Sequence, residues 1–174
     1  MSEVHHVLFH GEDVHDSISL VNIVKAILPD GHFIESKVLR SPTILRRDAH
    51  PTKRRAMSLD IAEFAQTLNS RRRVIVVVHR DCDEVEPAHV ANAEALEADL
   101  RSGGVPNPVA ATPAWDIETW WMLFPEALAA TKKCWSPVSY KNRNVGSIAN
   151  GKKLSETIYA LRTRSVVTTK KKIA

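Results

Sequence analysis

The chain has 174 residues, of which 44% are hydrophobic and 25% charged, and these fractions are ordinary for a globular protein with a buried core. Its 24 basic and 20 acidic residues give a formal net charge of +4, which is too small to identify a binding partner. Two cysteines, Cys82 and Cys134, cannot build a disulfide framework and fit a reducing compartment. No signal-peptide pattern and no apolar run of the ~20 residues needed for a membrane span is present, so we expect a cytoplasmic protein without membrane contact.

The first part of the chain predicts two strands and two helices. Residues 4–9 are short and apolar, which is typical of a strand, and Asp16 or Ser17 is expected to cap the helix that follows. Residues 33–39 alternate apolar and polar side chains and predict a second strand, at an edge of the sheet. Residues 40–57 show no periodicity and predict a long loop, after which Ser58 is expected to cap the second helix.

The second part begins with an unbroken apolar run over residues 74–78, which indicates a strand buried on both faces. Pro87 is expected to open a third helix that ends before Gly103, because proline favours the first helical turn and glycine the end. Residues 108–112 predict a fourth strand, and Thr112 and Pro113 are expected to begin a fourth helix. The spacing of three apolar residues predicts a closing helix: Leu154, Ile158 and Leu161.

This alternation predicts an α/β fold with a mostly parallel central sheet of about four strands and helices on both faces. One domain is expected over residues 1–164, followed by a flexible basic tail over residues 165–174.

Acidic side chains follow the predicted strands. Asp81 and Asp83 come directly after the third strand, where residues i and i+2 of an extended segment project to one side. Glu12 follows the first strand and Glu118 follows the fourth, so all four carboxylates are expected at one edge of the sheet. Carboxylates at such an edge suit Mg²⁺ and metal-dependent phosphoryl chemistry. The alternative is that they are solvated loop acids, or for Glu118 a residue that complements a helix dipole.

Together these motifs resemble the Toprim domain, which topoisomerases, primases and OLD-type nucleases share. The likeness consists of a glycine-containing acidic turn after strand one, an Asp-x-Asp after strand three, and parallel strands in a Rossmann-like topology. The segment Pro-Ala-Trp-Asp-Ile-Glu-Thr-Trp-Trp over residues 113–121 is similar to the Ile-Glu-x-Trp helix of small stand-alone Toprim-like proteins. Those proteins are often encoded beside ATPases in bacterial defence loci. The resemblance extends from about residue 4 to residue 161.

The resemblance implies a nuclease that depends on Mg²⁺ or Mn²⁺ and works with an ATPase partner. Asp81 and Asp83 would hold the cation, Glu12 would bind metal or act as general base, and Glu118 would complete a second metal position. Lys153, or its neighbour Lys152, would neutralise the phosphate in the transition state. One difference is that His10 stands where the family has a glutamate. Either Glu12 substitutes for that glutamate, or His10 does different work, or the site is degraded.

Eight basic residues are expected to bind nucleic acid through sequence-independent phosphate contacts: Arg46, Arg47, Lys53, Arg54, Arg55, Lys141, Arg143 and Lys152. The alternative for them is a solvated charged loop.

DNA is favoured over RNA as the substrate, and a homo-oligomer is compatible with the sequence. A non-catalytic Toprim-like module that binds nucleic acid or an ATPase is the second hypothesis. A receiver-like phosphoacceptor domain is a third, disfavoured because the fourth strand lacks the expected lysine.

Overall fold

The computed structural model describes residues 5–27, 34–38, 49–68, 74–131 and 144–147. The strands are β1 (His5–His10), β2 (Ile34–Val38), β3 (Val74–His79) and β4 (Pro108–Ala111). The helices are α1 (Val14–Ile27), α2 (Pro51–Leu68), α3 (Ala88–Ser102), α4 (Ile117–Trp121) and α5 (Pro125–Thr131), with a 3₁₀ turn at Val145–Ser147. The predicted closing helix and basic tail lie outside the described residues. None of the described helices is long and apolar enough to cross a membrane.

The chain divides into two compact units. Unit 1 comprises residues 1–80 and 90–112, and it contains all of the described strands. Unit 2 comprises residues 81–89 and 113–174. The expected domain boundary at residue 164 lies outside the described residues.

The strands of unit 1 form one parallel sheet in the order β2-β1-β3-β4. The predicted α/β class is therefore confirmed. β2 lies at one edge, as its alternating sequence predicts, and β3 lies inside the sheet between β1 and β4. A strand with neighbours on both sides and helices above and below needs apolar residues throughout, which is why residues 74–78 show no polar alternation.

The main core lies on one face of the sheet. Leu8 of β1 and Val76 of β3 are register partners, and their side chains pack with helices α2 and α3. Residues one position away point to the opposite face, where α1 contributes Leu20 and Val21. The other members of the main core cluster include Met57, Ile61, Ala62, Ala65, Val74, Val78, Leu96, Leu100 and Val105.

Helix α1 begins earlier than the sequence predicts, because its cap is Asp13 and neither Asp16 nor Ser17. The Asp13 carboxylate accepts hydrogen bonds from the backbone N–H groups of His15 (2.6 Å) and Asp16 (3.0 Å). Asp16 in turn accepts one from the N–H of Asp13 at 3.0 Å. This reciprocal pair satisfies three backbone donors at the helix start, as a capping box does.

The predicted loop over residues 40–57 is wrong in its last part, because α2 begins at Pro51. Its cap is His50, whose ring Nδ1 accepts a hydrogen bond from the N–H of Thr52 at 3.3 Å. Ser58 lies inside the helix, where its hydroxyl donates to the carbonyl of Arg54 at 3.1 Å. The first turns of α2 are charged and carry no apolar stripe, so periodicity gave no signal there.

The fourth helix also begins later than predicted. Thr112 and Pro113 are buried and non-helical, and the N-cap is Asp116 with an extended φ of −140°. The helix ends at Trp121, and α5 starts separately at Pro125. A proline at a first helical position restricts the residue before it to non-helical conformations, which explains the break.

Candidate metal centre and its surroundings

In unit 1, the turn after β1 has a fixed hydrogen-bond pattern. The N–H of Gly11 donates to the buried Ser17 hydroxyl at 2.7 Å, and this hydroxyl donates to the carbonyl of Asp13 at 3.1 Å. A Cβ at residue 11 would overlap Asp16 and the backbone of Asp13 and Ser17, so glycine is required here. The Asp13 carboxylate is engaged in capping α1. Glu12, the other acid of this turn, is half-buried.

His10 ends β1 as a buried, neutral side chain. It is 1% exposed, and neither ring nitrogen has a hydrogen-bond partner among the described residues. Its register partner is Val78, so the imidazole lies on the face of the sheet that carries the main core. Burial lowers the pKa of His10 to about 4, because the charged form loses its hydration. A neutral imidazole is a borderline ligand that is better suited to transition metals than to Mg²⁺.

His79, at the end of β3, lies close to the helix on the other face of the sheet. Its Nδ1 is 3.7 Å from the Asp16 carboxylate, and the ring is fully buried. The same carboxylate oxygen, Oδ2, accepts the hydrogen bond from the N–H of Asp13. Asp16 thus connects the turn that carries Glu12 with the end of the central strand, a role that the sequence did not indicate.

In unit 2, the segment with the two predicted metal ligands is fixed through its backbone. The N–H of Cys82 donates to the carbonyl of Pro113 at 3.3 Å, and the N–H of Asp83 donates to the carbonyl of Trp115 at 3.0 Å. The N–H of Trp115 donates to the carbonyl of Glu84, also at 3.0 Å. The loop after β3 is therefore held along the loop after β4 by backbone bonds that do not depend on side chains.

Two of these residues have left-handed backbone conformations: Asp83 at φ 55° and Trp115 at φ 66°. Aspartate tolerates this region, whereas a bulky residue such as tryptophan adopts it rarely and at a cost. Strain of this kind persists where surrounding bonds impose it and is frequent at functional sites.

The left-handed turn corrects one prediction. Asp81 and Asp83 were expected to project to the same side of an extended segment, but the extended conformation ends before Asp83. Asp81 is half-buried with its Oδ1 atom shielded from solvent, whereas Asp83 is exposed. The two carboxylates therefore lie in different environments. Cys82 between them is buried and free of any disulfide.

The segment after β4 uses its first acid for structure. Asp116 caps α4: its Oδ1 accepts from the N–H of Thr119 at 3.1 Å and from the Thr119 hydroxyl at 2.9 Å. Glu118 lies in the first turn of α4, and its side chain is outside the described part. The second metal position assigned to Glu118 stays a prediction, as does the convergence of Glu12 with the other acids.

The basic residues are described only in α2. Lys53 and Arg55 are exposed in its first turns, and Arg54 is half-buried with its Nε 3.8 Å from Asp99 of α3. They were predicted in a loop and lie instead on a helix, which holds them at fixed spacing. The remaining predicted phosphate contacts lie outside the described residues: Arg46, Arg47, Lys141, Arg143, Lys152 and Lys153.

Across the described ranges, no group of three or more His, Cys, Asp or Glu side chains is arranged to hold a metal ion. Comparison with protein-family models, with curated proteins and with solved structures finds no match to this chain. The Toprim-like interpretation therefore depends on the motifs and their positions alone.

Proposed function

We propose that this protein is a divalent-metal-dependent nucleic-acid phosphodiesterase with a Toprim-like, Rossmann-like domain. The observation that carries the proposal is the position of the Asp-x-Asp motif, directly after β3, an interior strand of the parallel sheet. In the order β2-β1-β3-β4, the chain reverses its direction of travel across the sheet between β1 and β3. Open α/β sheets bind their ligands beyond the carboxyl ends of strands at such a reversal.

The donor set fits a hard cation. Asp81 and Asp83 supply carboxylate oxygens, and Mg²⁺ takes one or two carboxylates while it keeps several waters. A bound Mg²⁺ or Mn²⁺ would polarise a phosphoryl oxygen and lower the pKa of a bound water. The protein's own contribution is positional: backbone bonds from Cys82 and Asp83 to Pro113 and Trp115 hold the motif in one conformation. Because the backbone is already fixed, the carboxylates could bind a cation without a change in the conformation of the loop.

The remaining assignments extend this proposal. Glu12 would bind metal or act as general base, Glu118 would hold a second cation, and Lys153 would neutralise charge on the phosphate. The exposed Lys53 and Arg55 support phosphate binding near the start of α2. An ATPase partner in a defence or DNA-processing system is proposed from the family resemblance alone.

A cleavage assay tests the proposal. The purified protein is incubated with single-stranded, nicked and supercoiled DNA and with RNA, in Mg²⁺, in Mn²⁺ and in chelator. We expect metal-dependent cleavage that Asp81→Ala and Asp83→Ala abolish. Asp60→Ala, at an exposed acid on α2, is the matched control and should cleave as the unaltered protein does. Absence of cleavage with every substrate and metal would contradict the proposal.

The buried His10 favours a second candidate, a non-catalytic module that binds nucleic acid or an ATPase. A neutral imidazole at the end of β1 removes the acid that the Toprim family uses there. Binding of nucleic acid without cleavage, unchanged by Asp81→Ala and Asp83→Ala, would favour this module over the enzyme.

A further inference from the structure

In unit 2, the fourth acid of the loop after β3, Glu86, is bonded to a distant part of the chain. The backbone N–H of Glu86 donates to the carbonyl of Gly146 at 3.1 Å, and the Glu86 carboxylate accepts from the Asn144 side-chain amide at 2.5 Å. The Asn144 carbonyl oxygen Oδ1 accepts from the N–H of Gly146 at 3.0 Å. These three residues, which we term the Glu86 clasp, join segments 58 positions apart.

Gly146 is required in the clasp because the two segments approach closely. The residue is buried, and a Cβ there would overlap the Glu86 side chain from Cγ to the carboxylate. Any larger residue would therefore displace the whole Glu86 side chain from its position. The neighbouring Val145 is buried as well.

The loop that carries the metal motif is thus fixed on two sides. Cys82 and Asp83 donate to the carbonyls of Pro113 and Trp115, and Glu86 is held by the clasp three residues further on. We propose that Glu86 is a positioning residue for the Asp81–Asp83 motif and does not bind the cation itself. This inference rests on the proposed metal-dependent function.

The chemistry of the side chain separates the two roles. A glutamine can accept the hydrogen bond from Asn144 through its carbonyl oxygen, so Glu86→Gln keeps the clasp. The same substitution removes the negative charge that a cation ligand needs. Glu86→Ala removes both, and Asn144→Ala removes the hydrogen bond while it leaves the carboxylate intact.

The test combines hydrogen exchange of residues 82–84, without metal, with titration of the full chain by Mn²⁺. We expect Glu86→Ala, Asn144→Ala and Gly146→Ala to speed exchange in this segment by about tenfold or more, because each removes or displaces the hydrogen bond between Asn144 and Glu86. They should weaken Mn²⁺ binding by about tenfold, since the motif then samples several geometries. Glu86→Gln should stay within about twofold of the unaltered protein in both measurements, as should the exposed control Glu94→Ala on α3.

Two results would overturn the inference. One is a Glu86→Gln variant that loses Mn²⁺ affinity as strongly as Glu86→Ala, since Glu86 would then be a ligand. The other is unchanged exchange over residues 82–84 in both Glu86→Ala and Asn144→Ala. Absence of Mn²⁺ binding by the unaltered protein would contradict the proposed function instead, and the exchange rates would still show that the clasp fixes the loop. Should Glu86→Ala fail to fold, Asn144→Ala tests the same bond from an exposed residue.

Discussion

Glu97 of α3 accepts a hydrogen bond from the backbone N–H of Ala110 in β4 at 3.1 Å. β4 is an edge strand of the described sheet, and unpaired donors on such an edge can recruit another strand. The backbone of Pro108 and Ala110 points outward, because the alternate residues Asn107 and Ala111 accept hydrogen bonds from Val76 of β3 and from Arg80 directly after it. Proline has no N–H, and Glu97 occupies that of Ala110. The outward-facing backbone of β4 therefore offers no N–H group to an additional strand.

Removal of this bond should weaken the fold and expose the edge. We expect Glu97→Ala to lower the free energy of unfolding by about 1 kcal/mol and to increase self-association. Urea unfolding and size-exclusion chromatography measure the two effects. Glu97→Gln retains an acceptor and should lie between the alanine variant and the unaltered protein. Glu94→Ala, on the same helix but exposed, is the control; an equal loss in Glu94→Ala would show that the loss does not come from the bond to Ala110.

The buried His10 should make the fold sensitive to acid. Its pKa is lowered to about 4 in the folded chain from a value of 6.5, so the unfolded state takes up its proton first as the pH falls. The effect of His10 on the free energy of unfolding does not change with pH above about 6.5, and it becomes increasingly unfavourable as the pH falls from 6.5 to 4. The difference between 6.5 and about 4, at 1.36 kcal/mol per pH unit, gives a loss of about 3 kcal/mol in the free energy of unfolding.

His10→Leu should remove that decline and stabilise the protein at neutral pH, because it deletes two buried polar atoms without hydrogen-bond partners among the described residues. Denaturant unfolding in chelator at several pH values between 7 and 4 measures the slope. His15→Gln, at an exposed histidine on α1, should keep the slope of the unaltered protein. An unchanged slope in His10→Leu would assign the acid sensitivity to other groups. The effect of Glu97 on acid stability can be told apart from that of His10 by its pH range. The pKa of Glu97 is lowered below 4.5, mainly by the hydrogen bond from Ala110, so its contribution to stability is lost only as the pH falls below that value.

Asp13 and Asp16 both serve the start of α1, but only Asp16 also approaches His79. We expect Asp13→Ala to cost about 1 kcal/mol of stability through the lost cap. Asp16→Ala should cost more, because the buried His79 loses its neighbouring carboxylate as well. The comparison is made by urea unfolding at neutral pH. Equal costs for the two variants would mean that the 3.7 Å pair contributes nothing to stability.

Sequence patterns predicted those elements whose cause is local. The apolar residues 74–78 identified the interior strand, and Pro87 with Gly103 bounded α3 correctly, within a residue. The start of α2 was missed because its first turns contain charged residues and are anchored by a histidine cap at residue 50. In the candidate site, the position of Asp81 after β3 was predictable. The left-handed turn at Asp83 and the Glu86 clasp were not, since both arise from contacts with residues 113–115 and 144–146.

Substitutions at Asp83 should separate two requirements of this position: a residue that tolerates a positive φ, and a carboxylate that can bind a cation. At φ 55°, glycine is favoured, asparagine and aspartate are tolerated, and alanine is strained. We therefore expect Asp83→Gly and Asp83→Asn to fold with a stability within about 1 kcal/mol of the unaltered protein, and Asp83→Ala to be the least stable of the three. All three should lose Mn²⁺ affinity and metal-dependent cleavage, because each lacks the carboxylate. Thermal unfolding without metal and Mn²⁺ titration measure the two properties separately. If Asp83→Gly folds normally and still binds Mn²⁺ at full affinity, the exposed Asp83 is no ligand, and the cation depends on Asp81 with other groups.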